Sequence, residues 1–150
     1  MRRGPATISK TVLSRTDSLS EMREFIAALA RESGFPDDEV ANIVLAVDEA
    51  CTNIIKHAYQ YAPDKEIRVT VSRSSKAFEI RIEDDGRSFD PSAVHAPDLK
   101  EHLTHFRRGG LGVYLMKKLM DDVEYKFQPG KKNQVRLVKH LPSNAAAARR

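Results

Sequence analysis

The sequence is short of several features that would set it apart from an ordinary soluble domain. It has a single cysteine, Cys51, so no internal disulfide can form. No run of about 18 apolar residues is present, so no membrane-spanning helix is expected. The arginines near the N-terminus are not followed by an apolar segment, so no signal peptide is expected either. These absences predict a cytoplasmic protein.

A strong excess of one charge is also missing. The formal net charge is +4, but four of the 25 Lys and Arg residues are arginines at positions 2, 3, 149 and 150. Without these four arginines the basic residues number 21, which equals the 21 Asp and Glu residues. A nucleic-acid groove needs a basic stripe with interleaved aromatic residues, and none is visible. No direct binding to nucleic acid is therefore expected.

The hydrophobic pattern predicts one domain over residues 6–142, with flexible tails at 1–5 and 143–150. The predicted elements are a strand, a helix, a long helix, a two-stranded hairpin, a loop, a helix and two more strands. Hairpins mixed with helices indicate an α+β fold of two layers. A mixed, mostly antiparallel sheet is expected, covered on one face by helices.

The long helix is predicted from about residue 36 to about residue 61. Its apolar residues recur at helical spacing and are Val40, Ile43, Val44, Val47, Cys51, Ile54, Ile55 and Ala58. Glu49 and Asn53 are four positions apart on a face nearly opposite this stripe. A carboxylate stacked beside a carboxamide gives a base next to a neutral oxygen ligand, which suits hydrated Mg²⁺. Many surface helices carry such a pair, so the pair alone does not identify a nucleotide site.

The second arm of the hairpin ends in a carboxylate. Asp84 continues the alternation of the apolar residues before it and so points toward the core. The local pattern alone favours a strand that ends at Glu83, with residues 84–86 forming a turn. In the other interpretation Asp84 lies at the floor of a pocket and accepts a hydrogen bond from an amino group, such as that of adenine. Gly86 would then allow a flat ring to approach closely.

A glycine-rich stretch, residues 109–112 with the sequence GGLG, opens directly into a helix. The backbone N–H groups at such a helix start favour phosphate binding. Arg108 could reach a terminal phosphate, because guanidinium matches phosphate geometry. A flexible loop before a core helix is the simpler alternative. The pattern is neither a P-loop nor a dinucleotide-binding turn.

Three motifs in this order resemble the GHKL ATPase superfamily, most closely the anti-sigma-factor serine/threonine kinases. Residues 46–53 (AVDEACTN) resemble the N box, residues 83–90 (EDDGRSFD) the first glycine box, and residues 109–116 (GGLGVYLM) the second glycine box. The resemblance spans roughly residues 8–141. It implies the GHKL type of fold for the α+β architecture predicted above.

The resemblance implies roles for the residues of the first two motifs. Glu49 would be the catalytic carboxylate that orients or deprotonates the attacking hydroxyl, and Asn53 would be the Mg²⁺ ligand. Asp84 would bind the adenine base, with Gly86 lining the ring.

In the second glycine box, Gly110, Leu111 and Gly112 would contact the phosphates of ATP, and Arg108 would reach the γ-phosphate. Two positions depart from the family pattern. Ser88 replaces a second glycine of the first box, and residues 133–134 read Asn-Gln where a Gly-Thr pair is common. The second departure puts one phosphate or adenine contact in doubt.

The resemblance also implies a function. The protein would be an ATP- and Mg²⁺-dependent serine/threonine kinase and an anti-sigma factor. It would bind a sigma factor, phosphorylate an anti-anti-sigma (STAS) protein, and form a homodimer. The alternative is a nucleotide-gated switch that binds partners with little or no phosphotransfer. Glu49 favours the enzyme, since a pure binding protein does not need it. A sensor histidine kinase is disfavoured because the N-terminal helix contains no histidine that could accept a phosphoryl group.

Overall fold

The computed structural model describes residues 6–87, 110–127 and 132–142. The elements, in chain order, are β1 (Ala6–Leu13), α1 (Leu19–Ser33), α2 (Asp37–Asn53), β2 (Glu66–Arg73), β3 (Ala77–Asp84), α3 (Gly110–Leu119), β4 (Asp122–Lys126) and β5 (Asn133–His140). A 3₁₀ turn, Thr16–Ser18, precedes α1, and a π turn, Ile54–Ala58, continues α2. This succession confirms the predicted order of strands and helices. The tails predicted at 1–5 and 143–150 lie outside the described residues.

The five strands form one sheet in the order β1-β2-β3-β5-β4. Each neighbouring pair among them is antiparallel. The α+β class with helices over one face is confirmed. The alternation expected for β2 and β3 holds, because the buried residues of each strand are every second one: Ile67, Val69 and Val71 in β2, and Phe78, Ile80, Ile82 and Asp84 in β3.

The core lies between this inward face of the sheet and the helices. Val69 of β2 is opposite Ile82 of β3, and Ile82 is opposite Val135 of β5, so a continuous apolar surface crosses the sheet. Phe35, which precedes α2, meets Phe78 edge-to-face with ring centroids 5.8 Å apart. None of the helices in the described ranges is both long and apolar enough to cross a membrane.

Helix α1 ends at a glycine. Gly34 takes a left-handed conformation with φ of 102°. Its backbone N–H donates to the carbonyl oxygen of Arg31 at 3.0 Å. This ending turns the chain sharply, so that α2 returns beside α1 over the sheet.

One expectation for α2 was wrong. Asn53 does not lie on an open face opposite the apolar stripe, because only 7% of its surface is exposed. Ala46 and Ala50 are buried as well. Helix α2 packs against α1 and α3 in addition to the sheet, so its buried arc is much wider than one stripe. Asn53 is therefore a buried amide that needs a partner.

Candidate functional site

A cleft lies between the C-terminal part of α2 and the sheet. It encloses about 340 Å³, part of it open to solvent. The helix side supplies Ala50, Asn53, Ile54 and Ala58, and the opposite side supplies Asp84, Arg87, Tyr125, Phe127 and Val135. Two of the predicted site residues, Asn53 and Asp84, are thus brought together although they are 31 positions apart in the sequence. The cleft is mostly apolar, with these polar groups in its wall.

Asp84 is the last residue of β3, and only 5% of its surface is exposed. The interpretation in which the strand ends at Glu83 is therefore wrong. Its Oδ1 accepts hydrogen bonds from the backbone N–H of Gly86 at 2.8 Å and from Nδ2 of Asn133 at 3.0 Å. Burial raises the pKa of Asp84, and these two hydrogen bonds oppose that increase. A carboxylate held in this environment is a strong acceptor for a ligand donor.

Glycine is required at position 86 because the backbone of Ala58 lies very close to it. A Cβ atom on Gly86 would lie 2.3 Å from the carbonyl oxygen of Ala58. That oxygen accepts a hydrogen bond from the backbone N–H of Arg87 at 2.8 Å. Gly86 lines an adjacent open recess, together with Tyr59 and Arg87, and is not part of the cleft wall that contains Asp84. The glycine therefore lets the segment after β3 press against the end of the helix.

Substitution Gly86→Ala is expected to destabilise the fold. The added methyl group would force the backbone of Ala58 or of residues 85–87 to move, at a cost of roughly 1–3 kcal/mol. Thermal unfolding should show a Tm lower by about 3–9 °C. Ser75→Ala, in the exposed β2–β3 turn, is the control and should leave Tm unchanged. A Tm for Gly86→Ala equal to the wild-type value would show that the close approach is not needed for stability.

The π turn after α2 positions the contact between Ala58 and Gly86. The backbone N–H of Tyr59 donates to the carbonyl of Ile54, five residues earlier, at 2.9 Å. The Tyr59 hydroxyl donates to the carbonyl of Glu66 at 2.6 Å and accepts from the backbone N–H of Asp85 at 2.8 Å. Tyr59 therefore ties the end of the helix both to β2 and to the segment that follows Asp84.

Asn53 has a buried side-chain nitrogen, Nδ2, without a hydrogen-bond partner in the described part of the chain. Leaving such a group unpaired costs about 1–3 kcal/mol. Since Asn53 lines the cleft, a bound ligand or its hydration shell would satisfy the amide. The amide nitrogen and oxygen occupy nearly equivalent positions, so a half-turn of the side chain presents the oxygen to the cleft instead.

Glu49 lies one helical turn before Asn53 and is half-buried outside the cleft lining. Its pKa is raised, mainly by burial and also by the nearby charge of Asp48, while Lys56 lowers it. A carboxylate with a raised pKa is better matched to accepting a proton near neutral pH.

The described residues contain no cluster of three or more His, Cys, Asp or Glu side chains that could hold a metal by themselves. Asn53 can supply one oxygen ligand. Mg²⁺ commonly takes one or two protein oxygens together with water and phosphate oxygens, so the residues present fit such an ion.

The sequence reasoning missed three residues that shape the cleft. Tyr125 and Phe127 form one wall, with stacked rings whose centroids are 5.5 Å apart and whose planes differ by 20°. In the sequence, these two residues show only the alternation typical of a strand. Asn133 is buried and bonded to Asp84. The only sequence feature that pointed to Asn133 is that it stands where the family commonly has a Gly-Thr pair.

The second glycine box is described only in part. Among the described residues helix α3 covers Gly110–Leu119, so Gly110, Leu111 and Gly112 are helical. Backbone N–H groups in a first turn have no partner within their own helix and lie at the positive end of its dipole. Arg108 lies outside the described residues.

The fold is thus a sheet covered by helices on one face, with a cleft under the end of the central helix. A sequence model for the histidine kinase-like ATPase domain matches residues 12–139. The chain belongs to this family, which confirms the resemblance to GHKL ATPases and implies ATP binding.

Relatives at moderate identity include serine-protein kinases. The chain is 32% identical over 127 residues to the serine-protein kinase RsbW of Bacillus cereus (strain AH187), covering 82% of this chain and 79% of RsbW. It is 33% identical over 134 residues to RsbW of Halalkalibacterium halodurans, covering 84% and 79% of the two chains. A chain in the crystal structure of the SiaB-SiaC complex from Pseudomonas aeruginosa has the same fold, with a TM-score of 0.60, 14% identity and 89% of each chain covered.

Proposed function

We propose that this protein is an ATP- and Mg²⁺-dependent serine/threonine kinase that acts as an anti-sigma factor. It binds a sigma factor, and it phosphorylates an anti-anti-sigma protein of the STAS type. The observation that carries the proposal is the convergence in one cleft of Asp84 and Asn53, whose Nδ2 has no hydrogen-bond partner among the described residues, with Glu49 one helical turn away. Similarity to serine-protein kinases supports the reaction class, which is phosphoryl transfer to a protein. A homodimer is part of the same proposal.

Each residue has a distinct task in this proposal. The free oxygen of the Asp84 carboxylate accepts a hydrogen bond from the adenine amino group, while the apolar wall around it covers the ring. Asn53 would contribute an oxygen ligand to Mg²⁺, and the bound ion would neutralise phosphate charge. The first turn of α3 donates backbone N–H groups to the phosphates. Glu49 accepts the proton of the attacking serine hydroxyl, whose oxygen forms the new bond to the γ-phosphorus as ADP leaves.

The first experiment is calorimetric titration of ATP into the wild-type protein with and without Mg²⁺. Saturable binding that strengthens with Mg²⁺ is expected. The second step is transfer of labelled γ-phosphate to a STAS protein from the same organism, followed by mass spectrometry to locate a phosphoserine or phosphothreonine. Failure of pure, folded protein to bind ATP would overturn the proposal. Binding without transfer would favour the nucleotide-gated switch.

Asn53→Ala is expected to weaken the Mg²⁺-dependent part of ATP binding by about tenfold, because one oxygen ligand is lost. Binding measured in EDTA should change far less. Asn42→Ala is the matched control, since Asn42 is a partly exposed residue of the same helix outside the cleft. An equal loss with and without Mg²⁺ would remove Asn53 from the metal site.

A further inference from the structure

Asn133 lies in a position to control Asp84. It is the first residue of β5 and is directly opposite Asp84 in the β3–β5 register. Only 3% of its surface is exposed. Its Nδ2 donates to Oδ1 of Asp84 at 3.0 Å and to the carbonyl oxygen of Gly86 at 2.9 Å. One buried amide group therefore holds both the carboxylate and the backbone that follows it.

The orientation of this amide is set by its partners. Both neighbours are acceptors, so the nitrogen of Asn133 must face them, and the reversed amide would place oxygen against oxygen. The backbone N–H of Gly86 adds a second donor to Oδ1 of Asp84. The carboxylate cannot rotate without breaking both hydrogen bonds.

Because both donors go to Oδ1, the other oxygen remains for a ligand. No donor from the described part of the chain is bonded to Oδ2 of Asp84. The side chain lines the cleft. A fixed acceptor in an apolar wall favours ligands that present a hydrogen-bond donor over ligands that present an acceptor. An oxygen acceptor on the ligand would leave two buried oxygens facing each other without a proton between them.

We propose that Asn133 is a specificity-determining positioning residue. By holding Oδ1 of Asp84, it fixes Oδ2 as an acceptor that selects an amino group over an oxo group at position 6 of a purine. This inference rests on the proposed function, in which Asp84 contacts the base of ATP. It gives Asn133 a role that the departure from the Gly-Thr pair had left open.

A purely structural role would have a different signature. Loss of Asn133 would then loosen the cleft and weaken all nucleotides alike. In the role proposed here, loss of Asn133 frees the carboxylate to rotate away from a 6-oxo group, so discrimination falls more than affinity does. The ratio of two affinities separates these cases.

The test compares ATP with ITP, which replaces the 6-amino group by a 6-oxo group and keeps the ribose and the triphosphate. Dissociation constants for both nucleotides are measured by calorimetry on wild type, Asn133→Ala and Asn133→Ser. The preference for ATP over ITP is expected to fall about tenfold in both variants, as loss of one hydrogen bond to a charged group predicts. Gln134→Ala is the control, because Gln134 is the next residue on β5, faces the other side of the sheet, and should keep the wild-type preference.

Thermal unfolding of each variant shows whether it is folded. If Asn133→Ala is unfolded, the comparison of ATP with ITP is made on Asn133→Ser. An unchanged ATP:ITP ratio in a folded variant would overturn the inference and leave the proposed function intact, even if both affinities fall. Wild-type protein that binds neither nucleotide would overturn the proposed function and this inference with it.

Discussion

Replacing Glu49 by alanine is expected to lower phosphotransfer about 100- to 10,000-fold while ATP binding stays near the wild-type level. Glu49 is half-buried beside Asp48, and burial and this neighbour raise its pKa. The alanine variant has no group to accept the proton of the attacking hydroxyl. Because Glu49 is outside the cleft lining, its loss should not remove contacts to the base. The measurement is the initial rate of labelled phosphate transfer to the STAS protein, with ATP affinity determined in parallel.

Two further variants sharpen this test. Glu49→Gln keeps the size and hydrogen-bonding capacity of the side chain but cannot take up the proton, so it should be nearly as inactive as Glu49→Ala. Glu24→Ala removes an exposed glutamate of α1 and should transfer phosphate at the wild-type rate. Wild-type transfer by both Glu49 variants would exclude Glu49 from the chemistry, and the protein would then be pursued through its partners.

Asp84→Asn should have the largest effect on nucleotide binding, with at least about 100-fold lower affinity for ATP. The carboxylate is buried and offers a charged acceptor to the cleft. A neutral amide loses that charge and can present an N–H group to the adenine amine. Calorimetry measures this loss directly. Asp85→Asn is the control, because Asp85 is exposed and pairs with Lys132 at 3.1 Å.

The same variant should be more stable than wild type at neutral pH. Burial raises the pKa of Asp84 in the folded protein above its ordinary value. The contribution of this group to stability is therefore present below the unfolded-state pKa and is lost as the pH rises through the folded-state pKa. Above the folded-state pKa the native state contains a buried charge that costs stability, and the amide removes it. Asp84→Asn is therefore expected to gain stability relative to wild type as the pH rises through the folded-state pKa of Asp84, and the gain should shrink as the pH approaches 4.

Thermal unfolding of wild type and of Asp84→Asn across this pH range shows whether the substitution raises or lowers stability. The amide oxygen of an asparagine at position 84 can still accept from Asn133 and from the backbone N–H of Gly86, so the variant should keep its fold. Lower stability of Asp84→Asn at every pH would mean that the hydrogen bonds to the carboxylate outweigh the cost of its burial.

The sequence predicted the sheet and its covering helices well because alternation and helical spacing are local signals. Gly34, the inward face of β2 and the hairpin all follow from neighbours within a few residues. The burial of Asn53 could not be predicted in this way, since it lines a cleft with residues that lie far away in the sequence, such as Asp84 and Val135. The hydrogen bond from Asn133 to Asp84 likewise depends on strand register across 49 positions.

The candidate site was only partly predictable for the same reason. Asp84 was placed on the correct face by parity, although the local composition of residues 84–86 favoured a turn. Tyr125 belongs to β4, the strand at one edge of the sheet, and Phe127, whose ring stacks on it, lies just after that strand. Nothing local distinguishes these two rings from ordinary core residues, and only the assembled sheet shows that they face Asn53.

The π turn at Ile54–Ala58 fixes the angular phase of the chain between the helix and the strand that follows. Each residue of an α-helix advances the side-chain direction by about 100°, and a π turn advances it by less per residue. Removing one residue from this turn would restore α-helical phase and rotate Tyr59 away from Glu66 and Asp85. The direction of the Tyr59 side chain therefore depends on the number of residues between Asn53 and Tyr59. Changing side chains within the turn could not compensate for a change in that number.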